Sequence, residues 1–346
     1  MKSPSKPKSS KIERDKVGTS KSAKPTQSTV TAKSPKTVGK GSAKPKTKLK
    51  APSIPKVGRT KTEPRSPEEW LALAPVMDAL VEQYKIPSYV QSDPIQIPYR
   101  FAHDPKACEL SAFITALFSY GRRDLIIGTI SQLFQITEND PVGFLENFNP
   151  KRDAKLFQHF VYRFNKGPDL VVLWERLQWA YREYESLENL FMASIPKDAL
   201  GADNLKSGIA GCTDALLGNH EARSYGLKFL FAHPDKGGAC KRFNMFLRWM
   251  VRQDTEPSGK VDFGLWRQAL SPADLLVPLD THVMKMNREL RLSARTDGSW
   301  QTAREITDVF RMLCPEDPVK YDYALFGFSL DKRSPSEILS YAHSIG

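Results

Sequence analysis

Apolar residues recur at helical spacing through most of the chain from Ser66 onward. A period of three to four residues is typical of helices that bury one face in a core. Strand-like alternation is confined to residues 89–98. We therefore predict an all-α globule of about ten helices, without a repeat of fixed period, in the segments 66–84, 106–118, 122–135, 153–164, 168–194, 203–217, 221–231, 239–252, 281–291, 300–313 and 317–329.

Helix-start signals support this pattern. Ser66-Pro-Glu-Glu-Trp70 places a capping hydroxyl before a proline and two carboxylates, which favour the positive end of a helix. Asp104 is expected to cap the helix after Pro105 in the same way. The longest irregular stretch, residues 254–278, is expected to be a functional loop or an insertion.

The first 65 residues follow no such pattern. They hold 19 Lys and Arg against 3 Asp and Glu, a net +16, whereas the remainder of the chain carries −4. Lacking Phe, Trp and Tyr, this segment cannot bury enough apolar surface to offset the entropy of ordering. We predict a disordered basic tail over 1–65 and a helical domain with two lobes and a cleft over 66–346. Nucleic acid is the expected partner of the tail; a solubilising or membrane-surface role is the alternative.

Cysteine and histidine usage gives no indication of a metal or a cofactor. The histidines show no ligand spacing, and no Cys-x-x-Cys pair occurs among Cys108, Cys212, Cys240 and Cys314. A reduced, cytoplasmic compartment fits this usage. No run of 18 apolar residues is present and no apolar stretch follows the early lysines, so neither a membrane span nor a secretory signal is expected.

One segment combines glycines with a lysine at a helix start. Gly237 and Gly238 precede an amphipathic stretch, and Lys241 falls in its first turn. Backbone amides at such a turn can bind phosphate. A lysine there opposes the helix dipole, and the same position favours its neutral, nucleophilic form. The segment predicts phosphate contacts by the glycines and a nucleophilic role for Lys241.

A second segment delivers a carboxylate to a helix start. In Val277-Pro-Leu-Asp-Thr-His-Val283, the proline-led turn places Asp280 at the N-cap of the predicted helix 281–291. An amine beside a rigid carboxylate suits displacement at a sugar C1′, since the amine can form a Schiff base while the carboxylate stabilises positive charge on the sugar. An ordinary DNA-facing lysine and an ordinary helix cap are the alternative interpretation.

The two segments together resemble the helix-hairpin-helix DNA glycosylases, the superfamily of endonuclease III and the 8-oxoguanine glycosylases. Their hairpin reads Leu-Pro-Gly-Val-Gly-x-Lys and is followed by Val-Asp-Thr-His. Gly237 matches the first hairpin glycine, Lys241 the Schiff-base lysine, and Asp280 the catalytic aspartate. Ala239 replaces the second glycine, and the Lys-to-Asp interval of 39 residues is longer than usual. Archaeal 8-oxoguanine glycosylases, which have an atypical hairpin and a long interval, are the nearer resemblance.

A further similarity, to an uncharacterised bacterial family of the same kind, spans about residues 100–330. It lies in Tyr120-Gly-Arg-Arg123, in the stretch from Cys240 to Trp249, and in Asp317-Pro-Val-Lys-Tyr-Asp-Tyr-Ala-Leu-Phe-Gly327.

These resemblances imply a base-excision-repair DNA glycosylase, either monofunctional or bifunctional, with an AP-lyase step implied by Lys241. Its partner would be double-stranded DNA containing a damaged base, with 8-oxoguanine as the first expectation. The protein would act as a monomer in the cytoplasm, associated with the nucleoid. A non-catalytic DNA-binding protein that retains the fold is the alternative. A nuclease is disfavoured because no carboxylate cluster with metal spacing is present.

Accessory candidates divide into two groups. The expected DNA contacts are Lys236, Gly237, Gly238, Arg242, Arg248, Arg122 and Arg123, since guanidinium and ammonium groups bind phosphate. Arg122 and Arg123 could instead recognise an orphaned base, and a solvated turn is the alternative interpretation for them. The expected base pocket comprises Tyr120, Trp249, His282, Asp322, Tyr323 and Phe326, since an extruded base needs aromatic stacking and polar edge contacts. Aromatic residues at helical spacing are more often core, and a surface or capping role is the alternative for Asp322.

Overall fold

Sixteen α-helices and one short β-hairpin build the part of the chain that the structure describes. The structure is a computed structural model that describes residues 63–84, 87–197, 202–218, 223–253, 261–331, 333 and 337–338. The predicted basic tail lies outside the described residues except for its last three positions. All described residues belong to one compact unit, Arg59–Gly346.

The helices follow one another with short connections. Their bounds are α1 Pro67–Leu71, α2 Ala74–Tyr84, α3 Pro87–Ser92, α4 Gln96–Tyr99, α5 Pro105–Phe118, α6 Arg123–Ile136, α7 Pro141–Asn147, α8 Pro150–Asp153, α9 Gly167–Tyr184, α10 Leu187–Ala193, α11 Ala202–Leu217, α12 Tyr225–Leu230, α13 Lys241–Val251, α14 Thr281–Leu290, α15 Trp300–Leu313 and α16 Tyr321–Leu330. Short 3₁₀ helices span Ala154–Phe157, Pro234–Lys236, Pro272–Asp274 and Pro318–Lys320. The two strands, β1 Val161–Tyr162 and β2 Asn165–Lys166, pair antiparallel.

The all-α prediction is confirmed, and so are the helix caps. Ser66 and Glu69 form a reciprocal capping box at α1. Asp104 caps α5, where its side chain accepts hydrogen bonds from the backbone amides of Lys106 and Ala107. Predicted segment 168–194 divides into α9 and α10 because Glu185 adopts a left-handed conformation with φ 68°.

The strand predicted over 89–98 is wrong. Helices α3 and α4 cover most of that segment. Pro94 and Pro98 lack the N–H that a sheet position requires. A one-turn helix accepts Pro98 because the amides of a first turn have no intrahelical partner. The burial of Ile95 and Ile97, which looks like strand alternation in the sequence, follows from the packing of this turn against the core.

The helix predicted over 153–164 is also wrong. Helix α8 ends at Asp153, and the hairpin β1–β2 follows the 3₁₀ helix. Arg163 has φ 52°, which a right-handed helix cannot contain. The helical spacing of apolar residues misled the prediction here, because Val161 and Phe164 are 70% and 44% exposed and belong to no core face.

Two hydrophobic cores organise the described residues. The larger is built mainly by α4–α7, α9–α13 and the stretch 261–276, with α5 buried along its length from Ala107 to Phe118. The smaller contains side chains of α1, α2, α14, α15 and α16. Helices α2 and α16 pack closely, with the rings of Tyr84 and Phe328 edge to face at 6.4 Å.

The first described residues already belong to the folded unit. Arg65 donates a hydrogen bond from Nε to the carbonyl of Leu290 at 3.1 Å and pairs with Glu69 at 3.3 Å. The structured chain therefore begins before Ser66, slightly earlier than the sequence pattern indicates.

Several features bear on the kind of site this fold can hold. All four cysteines are free and buried. Within the described ranges, no three His, Cys, Asp or Glu side chains are arranged to hold a metal ion. No helix among these residues has the length and apolar character needed to cross a membrane.

Candidate active site

A cavity of about 590 Å³ lies where residues of both hydrophobic cores approach one another. Two helices begin at its wall. Lys241 is the first residue of α13, and Asp280 is the N-cap of α14. Both line the cavity, although 39 residues separate them in the chain. The fold therefore brings the predicted nucleophile and the predicted carboxylate to one site.

The Asp280 carboxylate is held by the backbone of its own helix. Its Oδ1 accepts hydrogen bonds from the amides of His282 and Val283 at 2.8 and 2.9 Å. Its Oδ2 makes no hydrogen bond within the described part of the chain. The predicted cap is thus confirmed, and the arrangement fixes the direction of the carboxylate while leaving one oxygen for a ligand.

Lys241 begins its helix without a side-chain cap. The preceding Cys240 adopts a left-handed conformation with φ 48°, and Gly237 does so with φ 83°. The Sγ of Cys240 donates to the carbonyl of Ala232 at 3.2 Å, which helps to hold this unusual turn. The Nζ of Lys241 lies 3.4 Å from the Sδ of Met245, one helical turn further on. A thioether is a weak acceptor, so the amine has no strong protein partner among the described residues.

A buried ion-pair network forms the polar side of the cavity. Arg248, on the same helix as Lys241, donates to the carboxylate of Asp322 on α16 and lies 3.4 Å from that of Asp262. Burial alone would lower the pKa of Arg248, but the charges of Asp262 and Asp322 raise it above its ordinary value. The sequence prediction of a phosphate contact is therefore wrong for Arg248, because its side chain is enclosed between carboxylates.

Asp322 is the carboxylate of this network that lines the cavity. Burial raises its pKa to about 6; the charge of Arg248 opposes the shift, and that of Asp280 adds to it. Lys241 also acts on Asp322, in the direction of a lower pKa. Asp280 and Lys241 are thus both close enough to Asp322 for their charges to act on its carboxylate. Asp322 is buried, which excludes the alternative of a surface carboxylate.

The network continues away from the cavity. Asp262 also accepts from Arg252 at 3.0 Å, and Arg252 pairs with Asp317 at 2.8 Å. Buried charges are stable only when they are paired in this way. These contacts join the end of α13 to Asp262 and to Asp317, which lies just before the 3₁₀ helix Pro318–Lys320. They therefore hold Arg248 in place.

Asp93 is a cavity residue that the sequence reading missed. It lies before α4, where its Oδ1 accepts the amide of Ile95 at 3.0 Å. Burial raises the pKa of Asp93, while the positive charges of Arg248, Lys241 and Arg123 oppose the rise. The dipeptide Asp93-Pro94 is a turn signal from which this position could have been found. The strand predicted over 89–98 runs across it and hides that signal.

The turn Tyr120-Gly-Arg-Arg123 contributes a further part of the cavity wall. Gly121 has φ 106°, a conformation that disfavours any residue with a Cβ. Arg123 donates to Ser92 at 3.2 Å, and its guanidinium lies 5.5 Å from the ring centre of Phe326. Tyr120, Gly121 and Arg123 all line the cavity.

A sequence profile of one protein family matches residues 93–331, more than half of the chain. This family is described as proteins of unknown function, DUF2400. The chain belongs to the DUF2400 family. Neither a curated protein nor a solved structure matches the chain. The matched span contains every cavity-lining residue, from Asp93 to Phe326.

In this DUF2400 protein, Arg242 is directed into the fold. Its guanidinium donates to the carbonyls of Leu117, at 3.0 Å, and Phe229. It also lies 4.6 and 5.2 Å from the ring centres of Phe229 and Tyr120. Burial lowers the pKa of Arg242 to about 10. This geometry favours a structural role at the cavity wall over the predicted phosphate contact.

The remaining predicted DNA contacts lie outside the cavity lining. Lys236 and Gly238 are exposed in the turn that precedes α13. The amide of Gly237 donates to the carbonyl of Pro234 at 3.0 Å. Of the two glycine amides, that of Gly238 is therefore the one without a hydrogen bond among the described residues. Arg122 is exposed and pairs with Asp124 at 2.7 Å. These groups face solvent and do not line the cavity.

The aromatic candidates differ in how much of each ring a ligand could contact. Trp249 is 1% exposed and belongs to the larger core, which favours the alternative interpretation for it. Tyr323 lies beneath Arg248, with 4.8 Å between the guanidinium carbon and its ring centre. Phe326 is partly exposed and meets the ring of His282 edge to face at 5.6 Å. Of Trp249, Tyr323 and Phe326, the ring of Phe326 is therefore the most accessible to a stacked ligand.

Proposed function

We propose that this chain is a DNA glycosylase with AP-lyase activity and a helix-hairpin-helix type of fold. Its substrate would be double-stranded DNA that carries a damaged base, with oxidised purines such as 8-oxoguanine first. One observation supports the proposal most strongly. Lys241, at the start of a helix that has no side-chain cap, and Asp280, whose carboxylate is held by backbone amides, line the same cavity. A cavity of about 590 Å³ is within the usual range for small-molecule sites and can admit an extruded nucleotide.

The proposed reaction begins when the Nζ of Lys241 attacks C1′ of the damaged nucleotide. A bond forms between Nζ and C1′, the bond from C1′ to the base breaks, and its electron pair leaves with the base, which takes up a proton. Asp280 stabilises the positive charge that develops on the sugar. Loss of a proton from nitrogen and opening of the sugar ring then give a Schiff base, from which elimination can cleave the strand.

Asp322 and Phe326 are the residues proposed to hold the base. A carboxylate fixed by Arg248 can accept hydrogen bonds from the N–H groups of a purine edge, and the Phe326 ring can stack on its face. Asp322 is ionised above its pKa of about 6, so this contact is available at neutral pH. Tyr120, Tyr323 and His282 complete the wall.

Outside the cavity, the Gly238 amide, Lys236 and Arg122 are proposed to contact phosphates. A protein of this activity would act as a monomer on chromosomal DNA in the cytoplasm. Ala239 stands where the resembled hairpin has its second glycine, and the next residue, Cys240, adopts the left-handed conformation from which α13 begins.

Borohydride trapping tests the proposal directly. With an 8-oxoguanine duplex, reduction of the Schiff base should give a covalent protein–DNA adduct. The Lys241→Gln variant should give none while its DNA affinity is retained. Lys285→Gln, which removes an exposed lysine from α14, is the matched control and should trap like the parent chain. Equal trapping by Lys241→Gln would refute the assignment. The absence of any adduct or excision across a lesion panel would favour the non-catalytic DNA-binding protein.

A further inference from the structure

A continuous row of aromatic rings leads from the cavity wall to the protein surface. Tyr120 and Phe229 both line the cavity, with their ring centres 4.9 Å apart. Phe229 is 4.9 Å from Phe164, which in turn is 5.4 Å from Tyr225. The outer two rings are 44% and 68% exposed. Large apolar side chains are thus presented to solvent beside the site, where they contribute nothing to a core.

The hairpin β1–β2 presents this surface and is fastened to the cavity rim. The hydroxyl of Tyr120 donates to Asn165, and that of Tyr162 donates to the carbonyl of Tyr120. At the hairpin tip, Arg163 lies against Gly121, where an added Cβ would come within 2.7 Å of its Nη1. The tip is therefore held in a fixed position next to the opening.

The residue at the tip is unusual for its backbone conformation. Two-residue hairpin turns with positive φ ordinarily use Gly, Asn or Asp. Here Arg163 occupies the left-handed position, with φ 52°. A non-glycine side chain kept at such a position is a candidate for a functional contact. Its guanidinium lies 6.0 Å from the ring centre of Tyr120, beside the aromatic row.

The charge of this surface complements DNA. Arg163 and Lys166 flank Phe164 and are exposed. Within the described part of the chain, neither forms an ion pair with a carboxylate. Aromatic faces bordered by cations are the features with which proteins bind unpaired nucleotides, because every base has a face that can stack.

We propose that Phe164 and Tyr225 form a stacking surface for an unpaired DNA base. When one nucleotide of a duplex enters the cavity, its partner base is left without a pair. The aromatic row begins at the cavity wall and ends at solvent. We therefore place it within reach of the DNA strand that carries this unpaired base. The inference rests on the proposed function for the identity of the nucleic acid, but it requires no catalysis.

Binding to a duplex with one tetrahydrofuran residue tests this surface, because that abasic analogue has no base to excise. The chain of 346 residues should bind it more tightly than the intact duplex in fluorescence anisotropy. Phe164→Ala and Tyr225→Ala should each weaken that binding by about 5- to 150-fold, the loss of one stacked base. Phe164→Trp should restore it. Met312→Ala removes an apolar side chain that is 39% exposed on α15, and it serves as the control without effect.

Photocrosslinking identifies the contact itself. A 5-iodouracil placed opposite the tetrahydrofuran residue should crosslink to Phe164 or Tyr225. The inference is overturned if the parent chain shows no preference for the abasic duplex, if Phe164→Ala binds it unchanged, or if affinity for both duplexes falls equally. A shift of the variant from dimer to monomer in sedimentation would assign the surface to a second copy of the chain. Failure of borohydride trapping with intact, Phe164-dependent binding would refute only the catalytic proposal.

Discussion

The substitution Asp280→Asn separates a catalytic carboxylate from a helix cap. In the structure Oδ1 accepts both backbone amides of the first turn of α14, whereas Oδ2 has no partner among the described residues. Asparagine can keep Oδ1 in the same two hydrogen bonds and place Nδ2 where Oδ2 lies. Asn caps a helix about as well as Asp, so the free energy of unfolding should change by no more than about 0.5 kcal/mol.

The effect on the reaction should be much larger. The substitution removes the negative charge that the proposed reaction places against the sugar, and it does so without moving the side chain. Loss of one preorganised electrostatic contact to a developing charge costs about 3 kcal/mol, or roughly 100-fold in rate. Single-turnover excision on a lesion duplex measures that rate, and a thermal melt of the same protein, with a shift expected within about 2 °C, measures stability.

Asp104→Asn is the matched control. Asp104 caps α5 with the same geometry, its Oδ1 accepting the amide of Lys106 at 2.9 Å, but it does not line the cavity. Both rate and stability should stay near the parental values. A second readout is the pH profile: Asp280 contributes to the raised pKa of Asp322, so the Asn variant should have a lower pKa at Asp322. If Asp280→Asn excises at the parental rate, the catalytic role is refuted.

Two other predictions concern Asp322 and the tail. The pKa of Asp322 is about 6 in the folded chain and near its ordinary value of 3.8 in the unfolded chain, so the folded chain binds this proton more tightly. The contribution of Asp322 to the free energy of unfolding should therefore fall as pH rises from about 4 to about 6. Urea unfolding of Asp322→Asn at the same pH values should lack that fall. An equal fall in the variant would contradict the assignment. Removal of residues 1–62, which carry a net +16, should lower affinity for undamaged DNA and reduce its salt dependence. Single-turnover chemistry should survive, and its loss would show that the tail contributes to the active site.

Local signals in the sequence were sufficient for much of the helical scaffold. Caps such as Ser66, Asp104 and Asp280 could be predicted because a capping side chain bonds to amides two or three residues away, and this interaction needs no distant partner. Lys241 at a helix start could be predicted because the two glycines before it mark a local break between elements.

Tertiary structure decided which of the chemically plausible side chains belong to the site. Arg242 and Arg248 looked like surface cations, yet one bonds to backbone carbonyls and the other to buried carboxylates. Asp322 and Asp93 acquire raised pKa values only because distant elements bury them. Hairpin β1–β2 was misread as a helix because the spacing of apolar residues does not reveal which of them reach a core. Burial and charge pairing depend on residues far apart in the chain, so they follow from the assembled fold and not from local pattern.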